Sequence, residues 1–309
     1  MSTRPLDLTR VGRVQIVEVG PRDGLQNEAA RIPTAEKIAF VERLADAGHS
    51  AIEVSAFVSP RWVPQMADAA DVFTGITRKA GVRYTALVPN LAGLARARDA
   101  KADEIAIFAA ASESFSRRNL NQTIDESLAT YKAVCGEARA AGLRVRGYLS
   151  TCFGCPFEGR VPPATVAGVA ARLLDLGVYE VAISDTIGVA HPGQVSEVVG
   201  AVTEHVPLSQ VALHFHDTRG TALVNVLAGL QLGVTTFDSS AGGLGGCPYA
   251  PGAAGNLATE DLLYMLDGLG IDTGVRLEGV MRASRAIEPL LGHPLPSRVV
   301  QAAKATASG

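Results

Sequence analysis

The chain has 309 residues and a mass of 32.1 kDa, a size at which an α/β barrel commonly forms one domain. Apolar residues make up 47% and charged residues 19%, which excludes a disordered chain, because disorder requires low hydrophobicity and high net charge. A net charge of −3 without a polybasic block argues against nucleic acid or a membrane surface as partner. Four cysteines and the lack of a membrane-spanning apolar run predict a cytoplasmic protein.

Short Val- and Ile-rich runs alternate with longer Ala- and Leu-rich segments along the chain. The short runs predict eight strands, at 14–19, 51–55, 84–88, 104–108, 144–149, 180–184, 210–215 and 234–238. The segments between them predict seven helices, at 35–47, 64–80, 91–100, 124–141, 164–176, 193–204 and 221–232.

Five predicted helices end on a glycine before the next strand, at Gly48, Gly81, Gly142, Gly177 and Gly233. Glycine adopts the left-handed conformation that terminates a helix, and repeated strand–helix–glycine units indicate a parallel α/β fold. An open doubly wound sheet is the alternative, but residues 20–24 lack the G-x-G-x-x-G spacing. We therefore predict one (β/α)8 TIM barrel over 1–309, with strands within about 14–238, a Gly-rich loop at 241–256 and C-terminal helical additions at 259–309.

Active sites of such barrels lie at the carboxyl ends of the strands, so polar residues at those ends are the candidates. The first, second, sixth, seventh and eighth strands or the loops after them supply Arg22, Asp23, Glu53, Asp185, His214, His216, Asn256 and Glu260.

The His214-x-His216 pair is the strongest of these signals. Strand residues two apart point to the same side with Cα atoms about 6.6 Å apart, so both imidazoles can face one metal ion or form a hydrogen-bonded core pair. Strands seven, eight and one are neighbours in a closed barrel, which brings Asp23 and Asn256 to the same place. Two nitrogens and two oxygens favour Mg²⁺ or Mn²⁺, although the imidazoles also suit Co²⁺ or Zn²⁺.

Cys247, Arg22 and the Cys152-x-x-Cys155 pair each have two interpretations. Cys247 lies in the Gly-rich loop and is either a small buried residue or a thiol acid–base on a mobile lid. Arg22 either forms a surface ion pair with Asp23 or stabilises a developing negative charge. The Cys152-x-x-Cys155 pair has no second such pair, which favours a structural role over a zinc or redox site.

Several segments together resemble 3-hydroxy-3-methylglutaryl-CoA lyase, a family of metal-dependent barrel lyases, from about residue 14 to 269. They are Glu18-Val-Gly-Pro-Arg-Asp-Gly-Leu-Gln-Asn-Glu28, Ile52-Glu-Val-Ser-Ala-Phe-Val-Ser-Pro60, Ser184-Asp-Thr-Ile-Gly-Val189, His214-Phe-His-Asp-Thr218 and Gly242-Gly-Leu-Gly-Gly-Cys-Pro-Tyr-Ala250. Any one of these segments alone is a weak signal, whereas the set is specific.

The resemblance implies a function for each candidate position. The metal ligands fall on Asp23, His214, His216 and Asn256, and the catalytic arginine and loop cysteine on Arg22 and Cys247. The family's catalytic and supporting acidic groups fall on Glu53, Asp185 and Glu260, and a further pocket residue falls on Gln26. The implied cofactor is Mg²⁺ or Mn²⁺, with CoA entering as part of the substrate, and the implied assembly is a homodimer.

The implied reaction cleaves 3-hydroxy-3-methylglutaryl-CoA into acetoacetate and acetyl-CoA. His214, or in second place Asp23, removes the hydroxyl proton, Arg22 stabilises the enolate, and Cys247 protonates its carbon. Three alternatives stay open: a lyase for a longer branched 3-hydroxyglutaryl-CoA, a condensing enzyme or 4-hydroxy-2-oxo-acid aldolase, and a non-catalytic CoA or metal sensor.

Overall fold

Eight parallel strands close into a barrel in the computed structural model, which describes residue 8, residues 11–246 and residues 255–307. Each strand pairs with the next along the chain, and the first pairs with the last. The predicted barrel is therefore confirmed, and every predicted strand lies within two residues of an observed one. The strands are β1 (Gln15–Glu18), β2 (Ala51–Ala56), β3 (Arg83–Leu87), β4 (Glu104–Ala110), β5 (Arg144–Ser150), β6 (Val181–Asp185), β7 (Val211–Phe215) and β8 (Thr236–Ser239).

Helices surround the barrel and continue beyond its last strand. The first eight alternate with the strands or lie in their connections, and the last three follow the loop after β8. They are α1 (Thr34–Ala47), α2 (Ala69–Gly75), α3 (Leu91–Asp99), α4 (Glu113–Leu120), α5 (Ile124–Ala140), α6 (Pro163–Asp175), α7 (Pro192–Thr203), α8 (Ala222–Gln231), α9 (Thr259–Gly268), α10 (Leu277–Ile287) and α11 (Arg298–Ala307).

Two helical segments differ from the sequence prediction. The helix expected over 64–80 is wrong in extent, because a 3₁₀ turn at Pro64–Met66 precedes α2 and the chain becomes extended at Ile76. The next backbone N–H, of Thr77, donates to the carboxylate of Glu42 at 2.8 Å instead of continuing the helix. Helix α4 was not predicted, since most of its residues are polar and show no apolar period.

The five glycines predicted to end helices all have positive φ angles, between +74° and +114°. Gly48 shows why no other residue fits there: its φ is +114°, and a Cβ atom would overlap the carbonyl oxygen of Gly274. At Gly48, Gly142, Gly177 and Gly233 this conformation directly follows the end of a helix. The prediction at Gly81 is wrong, because α2 already ends at Gly75.

The apolar core lies mainly between the strands and the helices, where most of the buried Val, Ile, Leu and Phe side chains form one cluster. The barrel interior, in contrast, contains charged groups. The side chain of Arg146 on β5 reaches Asp238 on β8, and because these strands are not neighbours, the contact must cross the interior. Among the described residues, no helix is both long enough and apolar enough to cross a bilayer.

Candidate metal centre and active site

Arg22 and Asp23 lie on a tight turn directly after β1. Residues Gly20–Gly24 form a short π-helical turn in which the backbone N–H groups of Arg22, Asp23 and Gly24 all donate to the carbonyl oxygen of Val19. Single π-helical turns are rare and occur frequently at functional sites. This turn places both side chains at the carboxyl-terminal mouth of the barrel, where barrel enzymes hold their catalytic groups.

The two predicted histidines meet Asp23 at this mouth. The ring centroids of His214 and His216 are 5.2 Å apart, as expected for side chains on one side of a strand end. One potential ligand atom from each of Asp23, His214 and His216 lies within 4.8 Å of the other two. The two histidines are therefore not a pair that contacts only each other, since the carboxylate of Asp23 joins them.

Asn256 reaches the same cluster because its backbone is attached to the end of β7. Asn256 forms an antiparallel bridge with His216, and the flanking backbone N–H of Leu257 donates to the carbonyl oxygen of Phe215 at 3.0 Å. Its Nδ2 donates to Asp23 Oδ2 at 2.9 Å and to the carbonyl oxygen of Leu244 at 3.1 Å. All four predicted ligands are therefore neighbours.

Two buried atoms of the cluster indicate that it fits a metal ion. Asn256 Oδ1 and His216 Nδ1 are inaccessible and have no hydrogen-bond partner among the described residues. Buried polar atoms in proteins are nearly always paired, so each orphan requires an explanation. A cation held by a carboxylate, an amide oxygen and two imidazoles would supply the missing partners, and this donor set suits a divalent ion.

The electrostatics of the cluster keep Asp23 ionised and His216 neutral. Burial raises the pKa of Asp23, but the charges of Arg22, His214 and His216 outweigh it and lower that pKa to about 2. Burial and the neighbouring His214 lower the pKa of His216 to about 4, so this imidazole is neutral at pH 7. Burial lowers the pKa of His214, but the hydrogen bond to Asp238 and the charges of Asp238 and Asp23 raise it overall.

Arg22 is fixed between two carboxylates. Its Nε donates to Glu53 Oε2 at 2.6 Å and its Nη1 donates to Asp23 Oδ1 at 2.7 Å. The guanidinium carbon also lies 5.6 Å from the ring centroid of Tyr148. Burial lowers the pKa of Arg22, but the charges of Glu53 and Asp23 raise that pKa by more than burial lowers it. The group is therefore a permanent cation.

Two other predicted acidic residues support the backbone near the mouth. Asp185 accepts the backbone N–H groups of Val189 and Ala190, each at 2.9 Å, and so holds the loop between β6 and α7. Glu260 accepts the backbone N–H of Gly242 at 2.8 Å and the hydroxyl of Ser284. Burial raises the pKa of Asp185 to about 6 and that of Glu260 to about 7.

The remaining predicted residues lie at the periphery or outside the described residues. Gln26 is half-buried just beyond the turn that carries Arg22 and Asp23, and Cys247 lies outside the described residues. Gly245 and Gly255, near the described ends of its loop, are so close together that a Cβ atom at Gly255 would overlap the carbonyl group of Gly245. The loop therefore starts and ends beside Asp23 and Asn256. Cys152 and Cys155 are buried free thiols.

Sequence reasoning missed three side chains beside the cluster: Tyr148, Arg146 and Asp238. Tyr148 lies edge-on to His214 with ring centroids 6.3 Å apart, and the guanidinium carbon of Arg146 lies 4.9 Å from the centroid of the Tyr148 ring. The available signal was the polar residue at every second position of the fifth and eighth strands, which marks a polar inner face.

The fold and this cluster together define a (β/α)8-barrel enzyme with a candidate centre for a divalent metal at the mouth of its barrel. Within this class the chain belongs to the HMGL-like family, whose model matches residues 13–287.

The matches to similar proteins cover almost the whole chain. The mitochondrial hydroxymethylglutaryl-CoA lyase of Rattus norvegicus is 52% identical over 290 residues, which cover 94% of this chain and 89% of that protein. The crystal structure of hydroxymethylglutaryl-CoA lyase from Pseudomonas aeruginosa has a TM-score of 0.94 and 50% identity, and the match covers 96% of this chain and 99% of that one. An HMG-CoA lyase from Acinetobacter baumannii, solved with coenzyme A and 3-methylmalate, has a TM-score of 0.90 and 40% identity over 94% and 95% of the two chains.

Proposed function

We propose that this protein is a lyase that cleaves 3-hydroxy-3-methylglutaryl-CoA into acetoacetate and acetyl-CoA. The observation that supports this most is a cluster of four potential metal ligands beside the buried cation Arg22. The ligands are Asp23, His214, His216 and Asn256. The chain is also about half identical in sequence to lyases of this name. The relative solved with coenzyme A supports an acyl-CoA as substrate.

Asp23, His214, His216 and Asn256 are the residues that would hold Mg²⁺ or Mn²⁺. When bound, the ion supplies Lewis acidity that lowers the pKa of the substrate hydroxyl. The base that takes the hydroxyl proton is His214 or Asp23. His214 can serve only while its Nε2 lone pair is not bound to the ion. Asp23 keeps a second carboxylate oxygen for the proton, although its low pKa makes it a weaker base.

Loss of the hydroxyl proton leads to cleavage of the bond between C2 and C3 of the acyl group. The oxygen's electron pair forms the ketone of acetoacetate, while the electrons of the broken bond become the enolate of acetyl-CoA. Arg22 stabilises the negative oxygen of this enolate with a guanidinium that Glu53 and Asp23 hold in a fixed direction. Cys247 donates the proton that the enolate carbon takes up.

Asp185 and Glu260 contribute by shaping the mouth. Their carboxylates bind backbone N–H groups of the loop after β6 and of the Gly-rich segment after β8. This gives both loops a fixed starting point next to the cluster, which a site must have to exclude water from an enolate.

The test is the stoichiometric release of acetoacetate and acetyl-CoA from 3-hydroxy-3-methylglutaryl-CoA by the purified protein with Mg²⁺ or Mn²⁺. Chelation should abolish the release, and added metal should restore it. A longer branched 3-hydroxyglutaryl-CoA serves as the comparison substrate. A higher kcat/KM for that substrate, or no cleavage of either thioester, would contradict the proposal.

The proposal extends to assembly and location. We expect residues 1–309 to act as one domain in a homodimer, which light scattering on the eluting protein will test. We expect a cytoplasmic location on the basis of the low cysteine content, and fractionation of the source cells will test it. We expect no nucleic-acid or membrane partner, in keeping with the absence of a polybasic block.

A further inference from the structure

Asp238 is a buried carboxylate next to the proposed metal centre that the mechanism above does not use. In the sheet register it lies directly beside His214 on the neighbouring strand. Its Oδ2 atom is 3.1 Å from His214 Nδ1, and its side chain has no exposed surface. The contact is therefore a hydrogen bond shielded from water, between a carboxylate and one specific nitrogen of the ring.

Asp238 is itself held by Arg146 from the opposite side of the barrel. The guanidinium donates from Nη2 to Asp238 Oδ1 at 2.8 Å and from Nη1 to Asp238 Oδ2 at 3.2 Å. Its third bond runs from Nε to Glu180 Oε1 at 2.7 Å. A two-point bond of this kind fixes the plane of a carboxylate as well as its position, so Asp238 has little freedom to rotate.

The fixed carboxylate determines which nitrogen of His214 is available to a metal. A neutral imidazole carries one N–H, and an ionised carboxylate only accepts hydrogen bonds. The proton therefore lies on Nδ1, facing Asp238, and the lone pair lies on Nε2. That atom faces the cluster, 3.9 Å from Asp23 Oδ2.

We infer that Asp238 is a positioning residue that fixes the tautomer and ring direction of His214 for metal binding, with Arg146 fixing Asp238 in turn. This rests on the metal centre of the proposed function. Carboxylates behind metal-bound histidines typically contribute 10–100-fold to metal affinity.

The test compares Asp238→Asn with Glu180→Gln. The asparagine keeps the size of the side chain but turns one of its two acceptors into a donor. If the amide nitrogen faces Arg146, a bond from that guanidinium is lost. If the amide nitrogen faces His214, it donates to Nδ1 and favours the tautomer with the proton on Nε2. Glu180→Gln removes the negative charge of the other carboxylate that Arg146 contacts, but it leaves the contact between Asp238 and His214 intact. We expect the dissociation constant of Mn²⁺, measured by EPR, to rise about 10–100-fold in the first variant and less than about threefold in the second.

Several results would overturn the inference. An equal loss in both variants would assign the effect to charge in the cluster, and unchanged Mn²⁺ affinity in Asp238→Asn would remove the role of Asp238. If that variant does not fold, ¹⁵N NMR of the metal-free parent protein at pH 8 decides, with the His214 signal assigned from a His214→Gln variant. A proton on Nδ1 supports the inference, and a proton on Nε2 contradicts it. Failure of the parent protein to bind Mn²⁺ would instead refute the metal centre itself.

Discussion

Replacing Arg22 by glutamine removes the only cation that contacts both Glu53 and Asp23 among the described residues. Removal of one neutral donor to a developing oxyanion typically costs 10²–10³ in rate. Arg22 carries a full charge and is only 7% exposed, so we expect kcat to fall about 10³–10⁵-fold, or about 4–7 kcal/mol. Metal binding should persist, since none of the four proposed ligands is changed.

The same substitution affects stability, and this effect has to be separated from catalysis. It leaves Glu53 buried without its cation, and breaking a buried pair in this way typically costs 3–5 kcal/mol. Burial already raises the pKa of Glu53, while Arg22 opposes that rise, so Glu53 will take up a proton in the variant. The double variant Arg22→Gln/Glu53→Gln should therefore recover stability but not turnover.

The assays are acetoacetate release at saturating substrate, Mn²⁺ binding by EPR and the urea midpoint of unfolding. A kcat within tenfold of the parent protein, with metal bound, would remove Arg22 from the mechanism. A parallel loss of Mn²⁺ affinity and turnover would show that Arg22 acts by holding Asp23 rather than by stabilising the enolate.

Four further predictions concern the roles proposed for other residues. Asp23→Ala and His214→Ala should each lose Mn²⁺ affinity together with turnover, whereas either variant binding Mn²⁺ normally would exclude that residue as a ligand. Cys247→Ser should keep metal and substrate binding but lose rate, and an equal rate would leave this thiol without a catalytic role. Burial raises the pKa of Glu260 from 4.5 to about 7, so the folded protein holds this proton more tightly than the unfolded chain. The stability that this proton confers is complete below pH 4.5 and falls by up to about 3 kcal/mol as the pH rises through 7. Glu260→Gln should remove that slope from the urea midpoints between pH 4.5 and 8, and parallel slopes would contradict the pKa. Tyr148→Phe removes a buried hydroxyl that lacks a partner among the described residues, so it should change the free energy of unfolding by less than about 1 kcal/mol; a larger loss, measured by urea unfolding, would reveal a bonded hydroxyl.

The barrel could be predicted because its elements are specified locally. Runs such as Ile105 to Ile107 read as strands, and glycines such as Gly48 mark helix ends by a conformation that other residues rarely adopt. The helix over 64–80 could not be bounded in this way, because its end depends on a bond between Thr77 and Glu42 of another helix. Contacts of that kind are tertiary and leave no periodic signal.

The proposed ligands could be predicted for a different reason. His214 and His216 share one strand, and barrel closure alone brings Asp23 next to them. Asp238 and Arg146 escaped notice because a charged residue inside a strand has no local signature of its partner. Their contact joins residues 92 positions apart across the barrel interior, and only the closed structure shows that one acts on the other.

The charged contacts inside the barrel link the durability of this protein to its chemistry. Tightly packed aliphatic side chains in place of a buried ion pair often give a more stable protein. Engineering for heat resistance would therefore favour hydrophobic replacements of Arg146, Glu180 and Asp238. Such a variant would gain melting temperature while leaving one histidine at the mouth unsupported, which is the usual conflict between robustness and activity in enzymes.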